Sequence, residues 1–110
     1  MKKTAGAVNV ANNIKNIEEL KTESLRSLAE LFAGMSAPPD GDSLQSLAAS
    51  FANMITVSYL LARRLGLGYG EVNEEILRIL ERGMAGGDSA ELNVRDMDEL
   101  KKYIAAGDMP

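Results

Sequence analysis

Five oxygen-bearing side chains sit at helical spacing in two places along this chain. Glu23, Ser27 and Glu30 form one set, and Ser50 with Asn53 the other. Steps of three and four residues place each set on one face of a helix. Side chains converging from two neighbouring helices are how a helical scaffold holds Mg²⁺, a hard cation selected by anionic oxygens. The hydroxyl of Ser and the amide oxygen of Asn can fill a coordination position but bring no charge. The competing reading for Ser50 and Asn53 is structural: small polar groups hydrogen-bonded inside a bundle or packed at a dimer seam. Arg63 and Arg64 are a second candidate, since guanidinium forks match phosphate oxygens, weighed against their fit to the negative end of a helix dipole. Glu71, Glu74 and Glu75 suit the first turn of a helix and need no further role.

Other chemistries are closed. With neither Cys nor His, the chain has no disulfide framework, thiolate nucleophile or Cys-type zinc site, and it lacks the commonest general base.

The elements that must position these residues read as helices. Ile14, Ile17, Leu20, Leu25, Leu28, Leu31, Phe32 and Met35 recur at three and four residues, predicting a helical segment that begins near Asn12 or Asn13 as cap. Thr22-Glu23-Ser24-Leu25 is a second capping signal, so two short helices or one bent one both fit. Ser36 to Asp42 carries Pro38, Pro39 and Gly41 and predicts a turn. A long helix follows, capped by Asp42 or Ser43 and stopped at Gly66 and Gly68, with a main stripe of Leu44, Leu47, Phe51, Met54, Ile55, Ser58, Leu61, Ala62 and Leu65. It is apolar on almost every side, which predicts burial on several faces. A further helix is expected from Tyr69 or Gly70 to Arg82, a joint over Gly83 to Asp88, and a last helix from Val94 to Ala106. The expected organisation is a loose arm over 1–11, a helical domain over 12–84, and a joint with a short C-terminal helix over 85–110.

Composition agrees with an all-α bundle of four to five helices. Hydrophobic residues are 45% and aromatics only 5%, leaving Leu, Ile, Ala and Met to fill the core. At 110 residues a monomer leaves much of its surface uncovered, so completion of the bundle by a homodimer or tetramer is expected, through the first helical segment and the long helix. A net charge of −4 with no clustered Lys or Arg argues against nucleic acid. No segment reaches about 18 uninterrupted apolar residues and no signal-peptide pattern opens the chain. The expectation is a soluble cytoplasmic protein with no membrane partner.

The run SFANMITVSYLLARRLGLGYGEVNEEI resembles the third helix, glycine stop and fourth-helix start of the MazG-like branch of the all-α nucleoside triphosphate pyrophosphohydrolases. NIKNIEELKTESLRSLAELFAGM is similar to that family's first two helices. In the catalytic members, an E-E-x-x-E motif and an E-x-x-D motif on successive helices hold Mg²⁺ for cleavage between the α- and β-phosphorus atoms. The resemblance places Glu30 on the last acid of the first motif, with Arg26 and Ser27 where its first two acids stand. A shifted register instead keeps Glu23 as the first acid. Ser50 and Asn53 fall on the Glu and Asp of the second motif. One metal-binding acid of five is retained in either register, Glu30 in the first. The resemblance thus implies a pyrophosphohydrolase relative with lost or weakened catalysis, nucleotide-sensing or regulatory, around a remnant site of Glu23, Ser27, Glu30, Ser50 and Asn53. Two alternatives stand beside it: a homo-oligomeric interaction module with no small-molecule site, and an active Mg²⁺-dependent enzyme with a remodelled site.

Overall fold

The computed structural model describes residues 2–36, 41–86 and 91–107, with side chains over 11–36, 41–86 and 93–107. Four helices account for nearly all of them, and the described residues contain no strand. They are α1 (Lys2–Gly34), α2 (Gly41–Arg64), α3 (Tyr69–Ala85) and α4 (Glu91–Gly107). The chain divides into two units, 1–66 and 67–110, each a pair of helices.

In the first unit α1 and α2 run antiparallel. Asn13 meets Arg64, Ser27 meets Asn53, and Gly34 lies against Leu47. The residues turned inward on α1 are Asn13, Ile17, Leu20, Ser24, Ser27, Leu31 and Gly34, and on α2 Ser43, Leu47, Ser50, Met54, Val57 and Leu61. Both series alternate steps of four and three, the spacing of a heptad seam. Leu31 and Val57 are its fully buried apolar residues, each contributing about 1.5–3 kcal/mol by leaving water. Small residues bring the two backbones close: Ser27 is completely enclosed, and a Cβ added to Gly34 would stand 3.2 Å from Leu47 Cδ2.

α1 differs from expectation in three places, for identifiable reasons. It starts at Lys2, so the residues expected as a loose arm are helical. Ala5, Ala7 and Ala11 are strong helix formers and no proline stands upstream of Asn12. Asn13 does not cap its own helix; its amide Nδ2 donates to the Arg64 carbonyl at 3.2 Å, satisfying an orphan acceptor at the end of α2. Thr22 bonds back to the Glu18 carbonyl at 3.0 Å, as a mid-helix threonine does, so α1 passes through 22–25 unbroken.

α2 ends as its sequence predicts. Leu65 and Gly66 donate to the last-turn carbonyls of Leu61, Ala62 and Arg63, and Gly66 takes φ +97°, a left-handed conformation that suits glycine. The expected burial on several faces is not what the chain shows, because one partner helix covers one stripe: Val57 is the buried residue of α2, while Leu44, Phe51, Ile55 and Leu60 are exposed. By length and composition α2 is also long and apolar enough to cross a membrane. Its middle, however, carries Asn53 against a charged pair on α1, which suits a water-facing helix pair. The Pro38-Pro39 part of the predicted turn lies outside the described residues.

In the second unit α3 packs antiparallel to α4, with Lys101 Nζ 3.3 Å from Glu81 Oε1. Glu71 closes the start of α3 by accepting from the Gly68 N–H at 3.2 Å. Leu80 is its buried apolar residue. α3 continues through Gly83 to Ala85, so the predicted joint starts later than expected, and residues 87–90 of it lie outside the described residues. Glycine at 83 leaves room for α4: a Cβ there would come within 2.9 Å of Met97 Sδ.

Candidate functional site

The seam puts different residues on its two sides. In an antiparallel pair, one residue further along either helix turns toward the same side, and one residue earlier toward the opposite side. One step after the seam come Ile14, Leu25, Leu28, Phe32 and Met35 on α1 and Leu44, Phe51 and Ile55 on α2, all exposed. One step before it come Glu23, Arg26 and Glu30 on α1 and Asn53 on α2. The first unit therefore has a mainly apolar side, interrupted by the Lys21–Glu18 pair, and a more polar side that also carries Leu60.

The polar side assembles most of the predicted remnant site. Asn53 Nδ2 donates to Glu23 Oε1 at 2.9 Å and to the hydroxyl oxygen of Ser27. Glu23 only accepts, so the nitrogen of the amide, not its oxygen, must face it. Arg26 lies between the two acids of α1. Its Nε donates to Glu23 Oε2 at 3.1 Å, its Nη2 to Glu23 Oε1, and its Nη1 to Glu30 Oε1 at 2.5 Å. The Arg26 guanidinium, and then the Asn53 amide, hold the Glu23 carboxyl below the usual carboxylate range. The same contact with Glu23 keeps Arg26 firmly protonated.

Ser50 is half-buried on α2, one turn before Asn53, and takes no part in this network. Glu30 is 54% exposed and is joined to it only through Arg26. Arg63 and Arg64 are exposed in the last turn of α2, ten residues or about 15 Å along the helix from Asn53, so they are not brought to the cluster. The residue that sequence reasoning undervalued is Arg26. Its signal was present in the chain: Glu23, Arg26 and Glu30 are spaced i, i+3 and i, i+4, the separations at which helical ion pairs form.

The profile of the MazG-like family matches residues 10–97, which is four-fifths of the chain and spans both helix pairs. The chain belongs to the MazG-like family. No curated protein and no solved structure matches it. Membership in an all-α family agrees with the four helices, and it relates the chain to the nucleotide pyrophosphohydrolases.

The Mg²⁺ that the MazG-like resemblance implies does not fit the groups present. Among the described residues no three Asp or Glu side chains converge as metal ligands. Both Glu23 oxygens are met by N–H donors, and Glu30 faces a guanidinium. Asn53 turns a donor, not its carbonyl oxygen, toward the one acid it reaches.

Two outcomes follow. Asn53→Ala strips the buried Ser27 oxygen and Glu23 of their shared donor, and urea unfolding should show a loss of about 1–3 kcal/mol. Glu23 titrates lower folded than unfolded, so the stability it adds is fully present above its unfolded value of about 4.3 and is lost as pH falls through the folded value. Stability followed down the acid limb should show this loss in the wild type, and Glu23→Gln should flatten it.

Proposed function

We propose that this MazG-like chain has lost or weakened Mg²⁺-dependent pyrophosphohydrolysis and acts in the cytoplasm as a nucleotide-sensing or regulatory subunit. The observation that carries the reading is the replacement of metal-ligand charge by internal pairing: Arg26 engages both nearby acids of α1, and an amide N–H from Asn53 meets Glu23. Phosphoryl chemistry of this type depends on cations that neutralise charge building on the phosphate oxygens and activate water. A cluster whose carboxylates are already bonded to a guanidinium supplies neither. Family membership supports the nucleotide part, and Arg63 and Arg64 remain candidate phosphate contacts separate from the cluster.

A second reading, a homo-oligomeric interaction module, is favoured by a different observation. Leu25 is 71% exposed, and Phe32 and Met35 59% each, on the same side of the hairpin as Phe51 and Ile55. A cluster of exposed apolar residues of this kind marks an interaction surface, and a second copy would cover it with the same side of its own hairpin. The two readings are compatible, since a regulatory subunit can be a dimer or tetramer.

The catalytic question is settled by pyrophosphate release from a panel of nucleoside triphosphates with Mg²⁺, alongside calorimetric titration of the same nucleotides. The expected result is binding of at least one nucleotide with no release above the uncatalysed rate. Absence of binding to every nucleotide removes the sensing role, and Mg²⁺-dependent release abolished by Glu30→Gln establishes the active enzyme instead. For the apolar side, sedimentation at micromolar concentration should give a dimer or tetramer; a monomer overturns the oligomer.

A further inference from the structure

We infer that Arg26 is the cluster's own cation: its guanidinium stands between Glu23 and Glu30 and supplies internally the positive charge that a divalent ion would otherwise bring to this side of the α1–α2 pair. Three features of the geometry carry this. The guanidinium uses Nε and Nη2 on the two oxygens of Glu23, a forked pairing that holds the carboxylate in plane, and it still has Nη1 for Glu30 at 2.5 Å. The Glu23 side chain is only 31% exposed, so its charge is partly withdrawn from water and needs a partner. Asn53 completes the enclosure by placing an N–H on Glu23 at 2.9 Å while its other contact is to the fully buried Ser27. The Glu23 end of the cluster is thereby tied into the seam, while Arg26 and Glu30 reach out to the surface.

The charges decide the outcome. Glu23, Arg26 and Glu30 sum to −1, and the positive member is covalently fixed four residues or fewer from each acid. An approaching cation would have to displace the guanidinium from Glu23 and Glu30 and turn the Asn53 amide away, while meeting the repulsion of the arginine charge it displaced. The cluster is accordingly closed to Mg²⁺ and Mn²⁺ by this side chain, over and above its holding only two acids. This does not rest on the nucleotide reading: a chain that binds no nucleotide, or one that binds it at Arg63 and Arg64, has the same cluster.

The test compares the full-length wild type with Arg26→Gln and Arg26→Lys by thermal melting and by Mn²⁺-induced broadening of the Asn53 side-chain amide resonances. For the wild type, millimolar Mg²⁺ or Mn²⁺ should leave the melting temperature unchanged and the Asn53 signals sharp. Arg26→Gln, with Glu23 and Glu30 uncompensated, should melt lower, regain part of the loss on adding Mn²⁺, and broaden Asn53 with an apparent Kd about tenfold or more below any wild-type response. Arg26→Lys keeps the charge and should remain insensitive to the metal. Saturable broadening of Asn53 in the wild type overturns the inference, whether or not the glutamine variant folds. So does an Arg26→Gln protein that folds and responds to Mn²⁺ no more than the wild type.

Discussion

The seam between α1 and α2 determines which side chains of the first unit can meet. Its residues alternate in steps of four and three on both helices, and where the backbones must come closest the chain places Ser27 and Gly34. Larger side chains at these positions would hold the helices apart and break the reach of Asn53 to Ser27 and Glu23. The antiparallel register then sorts many of the remaining residues, Glu23, Arg26 and Glu30 to one side and Leu25, Leu28, Phe32 and Phe51 to the other, with the Lys21–Glu18 pair and Leu60 as exceptions. Function on either side depends on a packing geometry to which it contributes only a few hydrogen bonds.

The relative energies of the two sides differ in kind. Exposed ion pairs on a helix surface contribute about 0.2–1 kcal/mol each, and the Lys21–Glu18 pair on α1 and the Lys102–Asp98 pair on α4 are of this sort. The Asn53 amide is different because one of its acceptors, Ser27, has no access to water. That contact specifies register: a slip of either helix would leave a buried hydroxyl oxygen without its donor. The apolar side carries no comparable specification.

Much of this was legible from residue types alone. The stop of α2 at Gly66 follows from a glycine after two arginines and is realised as a positive φ. The helical character of α1 from Asn12 onward, of α2 and of most of α3 and α4 follows from three-and-four spacing, whereas residues 2–11 are helical without it. The capping signals at Asn13 and Thr22 misled for opposite reasons. Asn13 is recruited by a carbonyl 51 residues away, which no local pattern reports, whereas Thr22 is satisfied within its own helix. Of the residues grouped from the sequence, only some come together. Glu23, Ser27 and Asn53 do meet, but the meeting of residues 26 and 30 apart in sequence depends on the register of the hairpin. Ser50 shares the helix face of Asn53 and still stays outside the network, because the heptad turns it into the seam.

The Glu23–Arg26 pair at the heart of the cluster is held in its charged form. The Glu23 carboxyl is held low and the Arg26 guanidinium high, and the amide of Asn53 and hydroxyl of Ser27 do not titrate there. None carries a sulfur that oxidants could change. The Glu23–Arg26 pair is therefore insensitive to modest changes in proton concentration and to redox poise. A molecule that competes for its hydrogen bonds acts on it by mass action instead.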